Sequence, residues 1–522
     1  MPTLSEQCDP RHPLKKLGER IPWSDFEEAF GEYYSEEGRP AKPVRLMVGL
    51  LLLKQMYDQS DEEVVERWVE NPYWQQFCGM SDFQWEWPCD PSDLVYFRQR
   101  IGEQGVALIL AVSAQLHGAR VQEREVVVDS TVQEKNVTYP VDTKQYRKII
   151  MRCWKLSDKS GIRLRRRYRK EVRACIMAQR LRKDPRRRKA ARRGHRRLRT
   201  IAGALIRELE RKLPEALREE QGENFTLYRR VLAQKPQDTN KIYSLHEPHI
   251  YCVAKGKEHK KYEFGTKASV AMTKTHGVIV AAVAHEKNLY DAHALPEILD
   301  QAEAMTDIRA KRAIVDRGYR GRKFVDGTEI LIPGRAPRGQ SRATSTAMRK
   351  RFRRRAAIEP LLSHLKQDFR LWRCFLKGFQ GDQLNLMLAA AAWNFRKWMR
   401  LFIIFGFASS ARPRSKTSFS RYRESPENFS GPTNSASASL FLRYPFNGEA
   451  HHLASVFKTE AFPDVCARCV SMVLTLKWSW SAIALVPSPR PRSLRVALEF
   501  TVGEFVDRRA HSAPPPTEPL ER

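Results

Sequence analysis

The sequence predicts an α/β fold in which a mixed sheet is flanked by helices, with a helical region before it and a basic helical insertion inside it. Apolar residues recur three and four apart over residues 14–115, which is typical of amphipathic helices. The period changes at Glu125, and short β-branched runs then alternate with helical stretches. The 522 residues are enough for two to four domains at about 100–200 residues each.

The composition indicates a polyanionic partner. With 92 Lys and Arg against 60 Asp and Glu, the formal net charge is +32, and clustered cations bind phosphate backbones by releasing condensed counterions. The uncharged apolar stretches are shorter than the roughly 20 residues that span a bilayer, and no secretory signal is present. Nine cysteines scattered through a long chain do not form a disulfide framework. We therefore expect a cytoplasmic, nucleoid-associated protein with no membrane partner and no small-molecule substrate.

The positive charge is concentrated in one segment. Residues 161–200 contain 19 Lys and Arg and two acids, which gives +17 of the total. The segment is rich in helix formers and predicts two helices broken near Asp184 and Pro185. A solvated basic face is the ordinary explanation for a charge run, but so many cations repel one another unless an anion neutralises them. We therefore expect DNA contacts here, from Arg165, Arg166, Arg167, Arg186, Arg187 and Arg188.

After Glu125 the order of elements can be read along the chain. EVVVDSTV predicts a strand, and the basic helical segment follows. YEFGTKASVAMTK and GVIVAAVAHE predict two strands joined by a turn, after a shorter lead-in, HIYCVAK. A helix near 294–304, strands ending at Asp316 and covering 329–333, and a helical tract over 345–400 come next. Without the basic segment and the lead-in, the order is strand, strand, strand, helix, strand, strand, helix.

Three acids have informative positions in this order. Asp129 and Asp316 each follow a buried β-branched run, and Glu359 lies in a helix directly before Pro360. Carboxylates at strand ends project into one crevice, where oxygen ligands gather hard divalent cations. Three carboxylates suit phosphoryl transfer with two Mg²⁺ ions. Each acid taken alone is more often a capping or salt-bridged residue, so only the three acids together indicate a metal site.

The segments around these acids resemble a known family. VVVDST, IVDRGYRG and RRRAAIEPLLSHLKQDFRLWRCFLKG are similar to the three catalytic blocks of bacterial insertion-sequence DDE transposases, with family five the closest. The last block of that family has Tyr, two residues, Arg, three residues, Glu, six residues, Lys. Phe352, Arg355, Glu359 and Lys366 have this spacing, with Phe in place of Tyr. SDLVYFRQRIG and DQLNLMLAAAAWNFRKWMR also match, so the resemblance covers about residues 14–400.

The resemblance implies an RNase H-like catalytic core. In that fold the first Asp lies on the first strand, the second just past the fourth strand, and the Glu on a late helix, which are the places of Asp129, Asp316 and Glu359. The 187 residues from Asp129 to Asp316 leave room for the basic segment as an insertion after the first strand. We therefore expect a helical N-terminal domain (1–120), a catalytic core (121–144 and 240–400), a basic DNA-binding insertion (145–239) and a low-complexity, disordered extension (401–522).

The resemblance also implies an activity. Such a protein binds the terminal inverted repeats of its insertion sequence, cuts DNA with two Mg²⁺ (or Mn²⁺) held by Asp129, Asp316 and Glu359, and joins the freed 3′-OH to target DNA as a homodimer in a synaptic complex. Arg355 and Lys366 would hold phosphates, and Arg317 would contact DNA. Tyr319 would stack on a flipped base, with a packed tyrosine as the equal alternative.

Other interpretations stay open at this point. The chain could be a transposase-derived DNA-binding protein without catalysis, or an RNase H-like nuclease that lacks strand transfer. Asp291 is expected to be a helix N-cap rather than a site residue. Trp85 and Trp87 are expected in the core of the helical region. Cys466 and Cys469 form a lone CxxC pair, which favours no metal site.

Overall fold

The computed structural model describes residues 2–34, 41–254, 260–334 and 341–410, with side chains as far as residue 402. All of these residues belong to one compact unit, residues 1–416. The predicted C-terminal extension, apart from its first residues, and the Cys466–Cys469 pair lie outside the described residues.

A mixed sheet forms the centre of this unit, as the sequence predicts. Within the described residues eight strands make up the sheet. They are β1 (Glu125–Lys135), β2 (Tyr251–Ala254), β3 (Tyr262–Thr273), β4 (Ile279–His285), β5 (Arg312–Ile314), β6 (Phe324–Val325), β7 (Thr328–Leu331) and β8 (Arg373–Cys374).

The long strand β1 organises the sheet. Strand β3 pairs antiparallel along one edge of β1, and β2 and β4 pair antiparallel with the other edge of β3. On its second edge β1 pairs parallel with β5 near its start and with β8 near its end. Strand β7 continues the parallel part beside β5, and β6 pairs antiparallel with β7. Pairing between β1 and β5 therefore stops partway along β1, just before Asp129.

Helices precede β1, as the apolar spacing predicts. They are α1 (Leu4–Gln7), α2 (Pro13–Arg20), α3 (Trp23–Gly31), α4 (Val44–Met56), α5 (Asp61–Glu70), α6 (Pro72–Phe77) and α7 (Pro91–Gln115). Ser60 starts α5 with a capping box, because its hydroxyl accepts from the Glu63 N–H while the Glu63 carboxylate accepts from the Ser60 N–H.

Two of the tryptophans in this region are not in the core. The side chain of Trp85 is 82% exposed and that of Trp87 is 57% exposed. The expectation that they are core residues is therefore wrong. They lie in the irregular segment between α6 and α7, where no regular apolar spacing directs them inward.

The basic segment forms a helical insertion with an apolar centre of its own. Its helices are α8 (Asp142–Lys159), α9 (Arg169–Arg180), α10 (Arg188–Lys212), α11 (Glu215–Glu220) and α12 (Gly222–Ala233). The break between α9 and α10 contains Asp184 and Pro185, at the predicted place. Residues such as Ile150, Leu198, Leu205 and Val231 form a cluster separate from those around the sheet.

Helices cover both faces of the sheet. They are α13 (Asp291–Thr306), α14 (Arg342–Arg355), α15 (Ile358–Asp368) and α16 (Gly378–Ser410), so the predicted tract over 345–400 is broken into three helices and a short strand. On one face α13 packs on Val126 and Val128, and on the other face Val127 packs with residues of α15 and α16. Because successive side chains of a strand point to opposite faces, the three valines divide between two cores. Within the described parts, no helix has both the length and the hydropathy needed to cross a bilayer.

Candidate active site

Asp129 and Asp316 lie at the same level of two neighbouring parallel strands. Val127 of β1 pairs with Ile314 of β5, and each aspartate comes two residues after its member of this pair. Since the side-chain period of a strand is two, both carboxylates start on the face that carries Val127 and Ile314. That face packs against the apolar side of α15. The parallel register therefore brings these two acids to one place, below the helix that contains Glu359.

Local hydrogen bonds orient both carboxylates. Asp129 Oδ1 accepts from the N–H of Ser130 at 2.8 Å, and the Asp129 side chain is 16% exposed. Asp316 Oδ1 accepts from the N–H of Gly318 at 2.8 Å, at the start of a single 3₁₀ turn, Arg317–Tyr319.

Glu359 is the second residue of α15 and is paired with an arginine. Pro360 follows it in the first helical turn, where a missing N–H costs no hydrogen bond. The Glu359 side chain is 63% exposed, and its Oε1 accepts from Arg355 Nη2 at 3.1 Å. Arg355 Nη1 also lies 3.7 Å from Asp129 Oδ2. One guanidinium thus bridges two of the three predicted acids.

The donor set has the chemistry that a hard divalent cation requires. Asp129 and Asp316 supply carboxylate oxygens on one face, which are the ligands such ions prefer. The Tyr319 hydroxyl near them is buried and interacts with the side chain of Ser130. No three His, Cys, Asp or Glu side chains among the described residues are close enough to hold one ion. Glu359 could join the two aspartates only after releasing Arg355.

Tyr319 is packed and does not present its ring to solvent. Its side chain is 1% exposed. Burial, followed by the charges of Asp291, Asp129 and Asp316, raises the pKa of its hydroxyl well above the usual value. The predicted stacking of Tyr319 on a flipped base does not fit this position, and the packed alternative is the one found. The phenol stays protonated and is available only as a hydrogen-bond donor or acceptor inside the site.

Asp291 does not cap its helix. The N-cap residue of α13 is Tyr290, and Asp291 is the first helical residue. The Asp291 carboxylate instead reaches the sheet, where its Oδ1 accepts from Ser130 Oγ at 2.8 Å and lies 2.5 Å from Lys267 Nζ. The N-cap expectation is therefore wrong. The only signal in the sequence was an acid between a strand and a helix, which suits a cap equally well.

The remaining predicted site residues near the acids are placed as follows. Lys366 lies two turns after Glu359 on α15 and is partly buried. Arg317 is exposed beside Asp316, with Nε 3.4 Å from the carbonyl oxygen of Pro333. Arg317 is thus a sequence neighbour of Asp316, and Lys366 of Glu359, at positions from which cations can meet phosphate.

The predicted DNA-binding arginines of the insertion lie on the surface of its helical part, which has an apolar cluster separate from those of the sheet. Arg165 and Arg166 are exposed and Arg167 is partly exposed. Arg166 pairs with Glu171 and Arg167 with Asp158, which neutralises part of their charge. The other predicted set is exposed at the break between α9 and α10; its members are Arg186, Arg187 and Arg188. An open cleft of about 460 Å³ beside this break is lined by Gln179, Arg182, Arg188, Ala191, Arg192, His195 and Arg196.

Two family models match the chain. A transposase domain (DUF772) matches residues 2–100, and a transposase DDE domain matches residues 232–395. The second match contains Asp316 and Glu359, whereas Asp129 and most of the insertion lie between the two matches.

A curated relative also matches. The uncharacterized protein ORF8 in the nfe locus of Rhizobium meliloti is 48% identical over 183 residues, which cover 34% of this chain and 88% of the relative. No solved structure matches the chain. The two transposase domains, in this order and around a mixed sheet flanked by helices, establish that the chain belongs to the insertion-sequence DDE transposases.

Proposed function

We propose that this protein is a DNA transposase of the family-five type that binds the terminal inverted repeats of its element and catalyses metal-dependent cleavage and 3′-OH strand transfer. The observation that carries the proposal is the alignment of Asp129 and Asp316 two residues beyond the Val127–Ile314 pair, on the face covered by α15. This arrangement supports a site in which Asp129 and Asp316 share one face of the sheet, below the helix that contains Glu359.

The catalytic roles belong to Asp129, Asp316 and Glu359. Asp129 and Asp316 would hold divalent cations first, and Glu359 would complete the set from α15. The chemistry that two Mg²⁺ ions, or Mn²⁺ in their place, supply when bound is activation of the attacking oxygen and stabilisation of the leaving one. The backbone bonds to the two aspartates keep their oxygens oriented before substrate arrives.

DNA contacts are assigned to cations around the acids and on the insertion. Arg355 would leave Glu359 and turn to a phosphate when DNA enters, because its planar fork suits phosphate as well as carboxylate. Lys366 and Arg317 would hold neighbouring phosphates. On the insertion, the DNA contacts are assigned to Arg165, Arg166, Arg167, Arg186, Arg187 and Arg188.

Topology supports an RNase H-like description of the core. Three antiparallel strands, β1, β3 and β4, precede α13. After α13, β5 pairs in parallel with β1, and β7 pairs in parallel with β5. The insertion after β1 has its own apolar cluster, which supports the proposal that it is a separate DNA-binding domain. The further division into an N-terminal helical domain and a catalytic core follows the order of elements along the chain, since the apolar residues of these two parts share one cluster. Two transposon ends must be joined to one target, so we propose a homodimer as the working form.

Cleavage and strand transfer on terminal-repeat DNA test the proposal. Asp316→Asn should abolish cleavage with Mg²⁺ while binding to the same DNA stays within a few-fold of wild type, because the fold and the basic surface are unchanged. Asp326→Asn is the matched control, since Asp326 also follows β5 in the sequence and its side chain is 69% exposed. Cleavage by Asp316→Asn at the wild-type rate would refute the site.

The same assay separates the other two functions. Binding without cleavage by the wild-type protein would indicate a transposase-derived DNA-binding protein. Cleavage without joining of the 3′ end to target DNA would indicate a nuclease. Joined products that disappear in Asp316→Asn and persist in Asp326→Asn are the expected result.

A further inference from the structure

We propose that Asp291 is a positioning residue of the catalytic centre, which holds Ser130 with one carboxylate oxygen and faces Asp316 with the other. The inference rests on the proposed function, because it concerns the same cation site. It adds a fourth carboxylate, from α13, to the three that the sequence motifs identify.

Asp291 reaches the centre from the face of the sheet opposite α15. Ser130 follows Asp129 on β1, so its side chain points toward α13 while that of Asp129 points toward α15. Ser130 Oγ donates to Asp291 Oδ1 at 2.8 Å. The N–H of the same serine donates to Asp129 Oδ1 at 2.8 Å. One residue therefore connects Asp291 to the first catalytic acid.

The second oxygen of Asp291 is directed at the turn that carries Asp316. A β carbon on Gly318 would lie 2.9 Å from Asp291 Oδ2 and 2.9 Å from Asp316 Oδ1. Both carboxylates therefore border the space that this glycine leaves open. A cation or its hydration shell in that space would meet oxygens of both carboxylates.

Tyr319 is buried among the same groups. Its side chain is 1% exposed, and its hydroxyl interacts with the side chain of Ser130. The charges of Asp129, Asp291 and Asp316 also act on this hydroxyl, so Tyr319 and Ser130 belong to the same polar cluster as these acids.

Lys267 offers a purely structural explanation that the test must exclude. Lys267 is 8% exposed, its Nζ lies 2.5 Å from Asp291 Oδ1, and it donates to the carbonyl oxygen of Leu289 at 2.8 Å. On this explanation, Asp291 serves only to neutralise a buried ammonium. Replacing both residues by neutral ones removes that need while still removing the carboxylate.

Binding of Mn²⁺ to the full chain, measured from the free-ion signal in electron paramagnetic resonance, tests the inference without relying on catalysis. Asp291→Asn should weaken Mn²⁺ binding about tenfold or more, the scale found when outer-shell partners of metal ligands are changed. The double variant Lys267→Met with Asp291→Asn should remain as weak. Asp300→Asn, on the same helix at an ion-paired site that is 64% exposed, should bind as wild type does.

The outcomes separate this inference from the proposed function. Restoration of wild-type Mn²⁺ affinity in the double variant would overturn it, because Asp291 would then only neutralise Lys267. If Asp291→Asn does not fold, the double variant and Ser130→Ala test the inference instead. Ser130→Ala keeps all charges and should weaken Mn²⁺ binding less than Asp291→Asn would. Wild-type affinity in both of these folded variants also overturns it. Asp129→Asn is the reference: if it leaves Mn²⁺ binding unchanged, the proposed metal site itself fails.

Discussion

Gly318 shows how one backbone position sets the spacing of two acids. A β carbon there would be 2.9 Å from both Asp291 Oδ2 and Asp316 Oδ1, which is closer than such contacts allow. The atoms that would be displaced are the ends of side chains rather than backbone, so the carboxylates can turn aside at little cost in folding. A β carbon would instead change the orientation of the carboxylate oxygens of Asp291 and Asp316.

Gly318→Ala should therefore impair chemistry much more than stability. We expect cleavage to fall about tenfold to a hundredfold, because misplacement of about 1 Å has effects of that size. The free energy of unfolding should fall by about 1 kcal/mol or less, at the low end of overpacking costs. Gly222→Ala is the control, since a β carbon there meets nothing within 4 Å. A large drop in melting temperature with normal cleavage per folded molecule would contradict the prediction.

Arg355 should weaken the binding of a metal ion when DNA is absent and assist cleavage when DNA is bound. It lies 3.7 Å from Asp129 Oδ2 and 3.1 Å from Glu359 Oε1, so it competes with a cation for both carboxylates. Without DNA, Arg355→Gln should bind Mn²⁺ several-fold more tightly than wild type. With DNA and Mg²⁺ it should cleave more slowly, because a phosphate contact is lost.

Titration of Mn²⁺ without DNA and a cleavage time course measure the two effects separately. Arg353→Gln, a neutralisation of an exposed arginine on the same helix, should change neither by more than about twofold. Weaker Mn²⁺ binding by Arg355→Gln would show that the guanidinium does not compete with the ion.

At the scale of elements, a buried ionic network joins β1 to the start of α16. Lys135 Nζ, at the end of β1, lies 2.6 Å from Asp382 Oδ1 and 3.6 Å from Glu247 Oε2. His249 Nε2 lies 3.1 Å from Asp382 Oδ2. Glu247 and His249 belong to the segment that returns from the insertion to the sheet. The network therefore fixes the insertion's exit, the central strand and the longest helix to one another.

Asp382→Asn should destabilise the protein by about 3–5 kcal/mol, because removing one partner leaves a buried charge uncompensated. Burial opposes ionisation of Asp382, but the hydrogen bond from His249 and the charge of Lys135 outweigh it, and the pKa of Asp382 is lowered. A lowered pKa stabilises the fold above the ordinary Asp value near 4. That stabilisation is lost as the pH falls through the lowered value.

Urea unfolding at a series of pH values measures both effects. The wild-type free energy of unfolding should fall more steeply below pH of about 4 than that of Asp382→Asn. Asp158→Asn removes an acid that is 54% exposed and should cost less than about 1 kcal/mol. Equal acid slopes for wild type and Asp382→Asn would argue against a lowered pKa at this position.

At the scale of the whole molecule, the densest positive charge and the proposed catalytic acids lie in different parts of the chain. The insertion carries +17 within 40 residues and has an apolar cluster distinct from those of the sheet. The acids lie on the sheet and on α15. A protein that must bring a polyanion to a negatively charged centre gains from a separate cationic surface, because that surface holds the DNA while the centre retains its carboxylates.

Neutralising Arg186, Arg187 and Arg188 together by glutamine should weaken binding to terminal-repeat and unrelated DNA to a similar extent. The slope of log affinity against log salt should decrease by up to about 3, since each phosphate contact contributes about 0.9. Fluorescence anisotropy at several salt concentrations measures this slope. The same change at three exposed arginines outside the insertion, Arg11, Arg20 and Arg124, is the control. Equal slopes for the two triple variants would remove the special role of the insertion.

The sequence by itself determined the order of helices and strands and the location of the basic insertion. Helical and strand periods depend on neighbours within a few residues, so β1, the break between α9 and α10, and the mixed sheet could be predicted. The motif spacing also selected Asp129, Asp316 and Glu359, whose catalytic roles stay a prediction.

Only the tertiary structure decided which side chains meet. Ser130 and Asp291 are 161 residues apart in the chain, and their contact depends on how α13 packs across β1. The bridge made by Arg355 and the burial of Tyr319 likewise follow from register and packing between distant elements. Such contacts are set by three-dimensional complementarity between residues far apart in sequence, for which the local pattern contains no signal.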